Sequence, residues 1–375
     1  MKSNLNDSKP LQQNNFKKNN LILFSIGLVI FSIWAYYIMI NNPIDIAKSD
    51  IIPYINDLYL KRLFNNEYVY ELAPGLGYGN WTPNYLTFHW LPFAISYYFH
   101  FDHRWIVLAA FFISIYVYLF HFIKYQNSNE YWLKASLPFI FLANLFYKQA
   151  STFAHTVELL IGSYYFILGM YLLKNQLVGK SIGITLTVLS RYLVIFYIPI
   201  ALVIEYFANK KLLLKQVLLV LLLVLVFYII PFMIKDPNIF FKGAASYDLA
   251  ALGEWDGQSW QPVSDRPFQL FQGLGFASWG YNFLPGSLTQ KIQMFKIIMI
   301  TTIIITILLT IYYIVKNRLK IQPEKYNLAS LKLILTVLLS FSLVPYPYLF
   351  WTNLILSIVM LGGVSFNKQT FNLNV

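Results

Sequence analysis

Hydrophobic positions fall into ten blocks along the chain: 21–40, 85–99, 105–123, 133–147, 156–173, 181–207, 212–234, 295–315, 328–344 and 349–364. Within each block the apolar residues are nearly continuous instead of confined to one stripe. That is the pattern of helices surrounded by apolar matter on all sides. Crossing a bilayer takes about 20 residues. Blocks 85–99 and 133–147 are therefore short and predict tilted or re-entrant pieces. Block 181–207 is long, and Ser190–Arg191 in its middle predicts a break into two. The stretch 51–64 differs, with Ile51, Ile52, Ile55, Leu58, Tyr59, Arg62 and Leu63 at roughly helical spacing in a polar context. It predicts a helix lying along the membrane surface. Pro74, Gly75, Gly77 and Gly79 then break the chain into a loop.

Composition agrees. Of 375 residues 58% are hydrophobic, 19% aromatic and only 12% charged, about half the charged share of a soluble domain. A globule of this size needs a polar shell that these residues cannot supply. Soluble, disordered and disulfide-scaffold classes are excluded, and an all-α polytopic membrane protein of about ten transmembrane helices is expected. The absence of Cys removes disulfides, zinc-thiolate sites and Cys nucleophiles. Abundant Ile, Asn, Lys, Phe and Tyr suggests an AT-rich, bacterial source, and with it a cytoplasmic (inner) membrane location.

The net charge of +12 is better explained by topology than by nucleic acid, because basic residues collect on cytoplasmic loops. With ten spans both termini are cytoplasmic. Residues 1–20 and 365–375 form tails, and 21–364 form one transmembrane domain. Lys210, Lys211, Lys215, Lys316, Arg318, Lys320, Lys325 and Lys368 fall inside. The acidic segment 41–83 and the longest loop, 235–290, fall outside. The second of these carries Asp248, Glu254, Trp255, Asp256, Trp260, Asp265, Arg266 and Trp279. Such aromatics suit an interfacial belt, and they also stack on sugar rings.

The sequence contains no phosphate loop, nicotinamide fingerprint, paired-His metal motif or Gly-flanked serine, and His100-x-x-His103 is too short and isolated for a zinc site. The informative feature is where polar groups sit. Lys148, Glu158 and Arg191 fall within or at the ends of apolar blocks, where each costs a few kcal/mol against lipid. Glu158 and Arg191 either pair to hold helices together or serve a substrate. Asp50, just before the surface helix, is either its N-cap or a general base at the outer interface. Basic residues near it suit an anionic lipid headgroup.

These residues also carry a resemblance. Ser49-Asp50-Ile51-Ile52-Pro53-Tyr54 is followed by 60–70, Leu-Lys-Arg-Leu-Phe-Asn-Asn-Glu-Tyr-Val-Tyr. Trp81-Thr82-Pro83-Asn84-Tyr85 leads into an apolar block. Ala154-His155-Thr156-Val157-Glu158 opens another, Leu189-Ser190-Arg191-Tyr192 interrupts one, and Pro345-Tyr346-Pro347-Tyr348 precedes the last. In order and topology this resembles the GT-C superfamily of membrane glycosyltransferases, above all the bacterial polyprenol-phosphate-mannose-dependent mannosyltransferases. A weaker likeness is to the mannosyltransferase that starts GPI-anchor assembly. Asn66 stands at the usual turn Gly, Asn84 at a second Pro and Arg191 at a Lys, and one Asp replaces a pair.

The resemblance implies inverting transfer of a sugar, with mannose one candidate, from a polyprenyl-phosphate donor to a glycan or lipid acceptor at the extracytoplasmic face. It implies Asp50 as general base and Arg191 as the first candidate for the departing phosphate, with Lys61, Arg62 and Arg266 behind it. Tyr54, Trp81 and His89 would line the sugar site, and Glu158 would accompany Arg191. No metal or other cofactor and no nucleic acid is implied. Two further readings stay open. An O-antigen-type polymerase or ligase also has a large outer loop, though 235–290 holds no His. A transporter or flippase predicts inverted repeats, and none is visible.

Overall fold

A computed structural model describes residues 8–45, 52–74, 80–123, 128–257, 266–318 and 322–363. Asp50, with Lys48, Ile51, Trp260, Asp265, Lys320 and Lys368, lies outside these. The described chain is almost wholly helical. The exception is a two-residue antiparallel pair, Ala73–Pro74 with Asn80–Trp81, in the register Ala73 to Trp81.

The principal helices are α1 (Ser8–Asn41), α2 (Arg104–Val117), α3 (Ser128–Lys148), α4 (Glu158–Lys174), α5 (Leu177–Val188), α6 (Ile198–Ala208), α7 (Lys210–Val224), α8 (Ile239–Trp255), α9 (Leu288–Lys316), α10 (Pro323–Ser340) and α11 (Trp351–Gly363). Local chemistry sets several ends. Asn209 caps α7 by accepting from the amides of Lys211 and Leu212. Ser287 and Gln290 form a capping box on α9. Asn175 ends α4 in the left-handed conformation, a role that asparagine tolerates. Helix α7 continues as a π-helix over Leu225–Met233, around Pro231, which cannot donate to the ladder.

Among the described residues four helices are long and apolar enough to cross a membrane: Lys17–Asn41, Arg104–Phe122, Lys210–Met233 and Leu288–Lys316. Only 11% of the Lys210–Met233 and Leu288–Lys316 windows is buried, so Leu218, Leu221, Ile304 and Leu308 face outward. An apolar exterior of that extent requires lipid; the chain is a membrane protein. Leu177–Val188, Tyr192–Ala208 and Pro347–Gly363 are shorter apolar helices. The expected break at Ser190–Arg191 is present: α5 ends at Val188, and Tyr192–Tyr197 is a 3-10 turn before α6. The expected short span 85–99 is instead three pieces, Thr87–Trp90, Leu91–Phe93 and Ala94–Tyr98, together too short and interrupted to cross. Helix α1 begins at Ser8, inside the expected polar tail.

Helix α4 is the hub. Thirteen of its seventeen residues are buried, and it packs against α2, α5, α10 and α11. Small residues permit this, because in lipid, close backbone approach replaces the hydrophobic drive between helices. A Cβ on Gly183 of α5 would lie 2.8 Å from the Leu168 Cα of α4. One on Gly162 would meet only the terminal Ile355 methyl, at 2.6 Å. Gly183→Ala is therefore expected to destabilise by about 1–3 kcal/mol despite the gain in helix propensity. Gly162→Ala is expected to cost less, since a methyl can turn aside. Denaturation in mixed micelles reads both, and equal losses would contradict this account.

Helix ends sort to two poles. At one, Arg104 Nη1 donates to Asn42 O (2.7 Å) beyond the end of α1, and Trp351 Nε1 donates to Gln149 Oε1 (2.7 Å). At the other, Asn20 Nδ2 donates to Leu119 O (2.7 Å) and Lys174 to His121 O. The segment expected to lie on the membrane surface is helical, in three turns (Ile52–Tyr54, a π-helical Ile55–Leu60 and Lys61–Phe64). It packs at the Asn42 pole through Ile52, Ile55 and Tyr59. Tyr59 stacks on Trp90, with centroids 5.4 Å apart, and Trp90 Nε1 donates to the Tyr70 hydroxyl at 3.2 Å.

Candidate functional site

The chain break after α5 creates the most unusual polar cluster. Leaving the helix at Ser190 puts Arg191 in extended backbone, φ −144° and ψ 144°. Its guanidinium pairs closely with Glu158, the first residue of α4, which is 1% exposed. Arg191 keeps 19% of its side chain accessible, so the pair is reached from one side.

His89 is fully buried beside it, its Nδ1 3.3 Å from Ser190 O. A carbonyl only accepts, so the neutral ring carries its proton on Nδ1 and offers Nε2 as an acceptor. His89 Nε2 and the Tyr165 hydroxyl are buried with no hydrogen-bond partner among the described residues. Both lie within electrostatic reach of Arg191. Buried polar atoms are normally paired, and the exceptions call for an explanation.

The two large loops meet above this cluster. Thr82 N donates to Ser246 Oγ of α8 at 3.0 Å. A Cβ on Gly243 would lie 3.2 Å from Asn84 Cβ, so α8 approaches residues 82–84 at backbone distance. Phe240 meets Tyr192 edge-on, at 4.9 Å. The far end of α8 docks on the 343–348 stretch: Trp255 Nε1 donates to Leu343 O (2.8 Å), and Tyr346 OH donates to Glu254 Oε1 (2.9 Å). Trp255 is thus an anchor in a small second core with Leu270, Phe295 and Val344.

The structure brings Arg191, Glu158 and His89 together; Asp50 lies outside the described residues, and Arg62, Lys61, Tyr54 and Arg266 are engaged elsewhere. Arg62 donates to the carbonyls of Val69, Glu71 and Leu72 (3.2, 2.6 and 3.3 Å), clamping the turn after the surface helix. Lys61 is exposed at the mouth of a separate cavity. Tyr54 is half-buried on the surface helix. Trp81 is located through its backbone, opposite Ala73. Arg266 lies over the Phe271 ring, 5.4 Å from its centroid. Lys148 is solvent-exposed above Tyr147.

A second buried ionic cluster escaped the sequence reading. Lys180 Nζ, fully buried, donates to Glu205 Oε1 and to Asn175 Oδ1 (both 2.6 Å). Asn327 Nδ2 reaches the same Glu205 oxygen (2.9 Å), and Tyr197 OH donates to Asn327 Oδ1 (2.8 Å). This network ties α5, α6 and α10 together toward the pole opposite Asn42. It is closed on itself, which suits structure. The Arg191 cluster, with two unsatisfied neighbours, suits a ligand. Only Glu205, a charge inside apolar block 181–207, hinted at the closed network. Among the described residues no group of three or more His, Asp or Glu is placed to hold a metal ion. Comparison of the chain with family models, with curated proteins and with solved structures finds no match.

Proposed function

We propose that this membrane protein is a glycosyltransferase that moves a sugar from a polyprenyl-phosphate donor to an acceptor hydroxyl at the extracytoplasmic face. The reading takes the Asn42 pole as outside and both termini in the cytoplasm, with ten crossings kept by counting Leu177–Val188 and Tyr192–Ala208 separately in place of 85–99. The observation that carries it is the Arg191–Glu158 pair, set at the break between α5 and α6 beneath the two large loops, with the unsatisfied His89 Nε2 and Tyr165 hydroxyl beside it. A cation held at that depth, and reachable from one side, suits a lipid phosphate.

In the reaction the acceptor oxygen attacks the anomeric carbon and the anomeric C–O bond to phosphate breaks. The acceptor proton passes to Asp50, and the lipid phosphate leaves with the bonding electrons. Arg191 opposes the charge that develops on that phosphate. Glu158 fixes the guanidinium and lowers its net field, so Arg191 discriminates by hydrogen-bond geometry as well as charge.

The test uses the purified full chain in liposomes with a radiolabelled polyprenyl-phosphate sugar. Transfer or donor hydrolysis is expected. Movement of labelled lipid between leaflets without bond cleavage would instead identify a transporter. Arg191→Gln, which can still hydrogen-bond Glu158, is expected to lower turnover about 10²–10³-fold and to raise the apparent KM for donor. An unchanged rate and KM with intact folding would leave Arg191 a packing residue.

A further inference from the structure

At the Asn42 pole, a cavity of about 480 Å³ opens between the surface helix and the segment leading into α2. Asn56, Lys61, Ser96, Tyr97, Phe101 and His103 line it. Its volume falls in the range of small-ligand sites. His103 is 4% exposed, and neither its Nε2 nor the Oδ1 of the partly buried Asn56 has a hydrogen-bond partner among the described residues. The tautomer follows from the neighbours. Ser96 Oγ donates to Phe93 O (2.9 Å), so at 2.6 Å His103 Nδ1 must donate to Ser96 Oγ. His103 Nε2 is then a lone-pair acceptor, as is Asn56 Oδ1. Burial also holds the His103 imidazole below its usual range, against the opposing pull of Asp102, so the ring is neutral.

Formal charges around the cavity cancel. Lys61 is offset by Asp57 on the same helix, and Asp102 is engaged by Arg104 at 2.6 Å. Two unsatisfied acceptors in a neutral hollow ask for hydroxyl donors, and the Tyr97 ring, stacked on Phe64 on one side, lines the hollow beside them. A second hollow, about 550 Å³ and almost wholly apolar, lies between α1 and α2, lined by Phe24, Phe101, Trp105, Ala109, Phe112 and Tyr116. From Trp105 to Tyr116 this groove descends about 16 Å. Phe101 borders both hollows.

We infer that the paired hollows bind one amphiphile, a lipid with a neutral, hydroxyl-rich sugar head: the head meets Asn56 and His103, and the chain lies between α1 and α2. None of the lining residues belongs to the Arg191 cluster, so this is a second lipid site. If the glycosyltransferase reading holds, it is the acceptor's, and the acceptor class is a glycolipid. That last assignment alone rests on the proposed function.

The test is native mass spectrometry of the full chain released from phosphatidylcholine nanodiscs doped with monoglucosyl-diacylglycerol, diacylglycerol or phosphatidylglycerol. Retention of the glucosyl lipid above the other two is expected. Asn56→Leu, which removes one acceptor from a partly exposed helix, weakens that retention about tenfold; Asn56→Asp keeps it. Ala109→Trp, on an exposed position of the groove, abolishes retention of the glucosyl lipid while methyl glucoside, read by saturation-transfer NMR, still binds. Equal retention of diacylglycerol, preference for phosphatidylglycerol, or indifference to both Asn56→Leu and Ala109→Trp would overturn the inference. Donor hydrolysis measured on the same preparations is independent: lipid retention without hydrolysis would sink only the proposed function, and hydrolysis without retention only this site.

Discussion

Asp50→Asn is expected to reduce sugar transfer about 10²–10⁴-fold, the contribution of a positioned general base, with little change in the KM for donor. The substitution is chosen for what it preserves. Asn matches Asp in size and in helix-capping ability, so only the charge and the ability to take a proton are lost. Asp50→Glu keeps the carboxylate but displaces it, and is expected to retain part of the activity. Turnover in purified liposomes, with the unfolding midpoint as control, reads the result. Full turnover in the Asn variant would remove Asp50 from the mechanism and move the search for a base to other groups.

The largest loss of stability is expected from Glu205→Ala. It strands the fully buried Lys180 ammonium, which would keep only Asn175 as an acceptor. Breaking a buried ion pair from one side costs about 3–5 kcal/mol, because the remaining charge is neither solvated nor matched. Replacing both partners removes that penalty, so Lys180→Met combined with Glu205→Leu is expected to recover most of the loss. Tyr197 and Asn327 still bond to each other in that background. Denaturation in mixed micelles measures both. A single-variant loss below about 1 kcal/mol would mean that Glu205 is solvated or that Lys180 titrates to its neutral form.

The contrast between the two ionic clusters carries the functional argument. Both hold a cation against a carboxylate inside a helical bundle. At Lys180 each group finds hydrogen bonds within the protein, and the cluster fastens α5 to α6 and α10. At Arg191 the backbone has left the helix, the side chain stays partly open, and two neighbours remain unsatisfied. The same chemistry is closed on itself in one place and left partly open in the other, which is what the proposed function requires of it.

The membrane character, the helical segment at 52–64 and the break at Ser190–Arg191 were legible in the sequence, because each depends on local composition and spacing: unbroken apolar blocks, apolar residues at roughly helical spacing, a charge inside an apolar block. The pairing of Glu158 with Arg191 was one of two readings, since two lone charges in apolar blocks must find partners but the sequence does not say which. The fate of 85–99 was not legible. A fifteen-residue apolar block fits a tilted span or a broken re-entrant piece alike, and packing against Tyr59, Tyr70 and Phe232 selects the second. Nor was Arg62's use as a carbonyl clamp, which requires a turn to fold back upon it. Unsatisfied acceptors such as Asn56 Oδ1 and His103 Nε2 are a property of three-dimensional surroundings alone. Sequence determines which groups would cost energy to bury; only the tertiary structure decides which of them are buried and which find partners, because hydrogen bonds close between residues far apart in the chain.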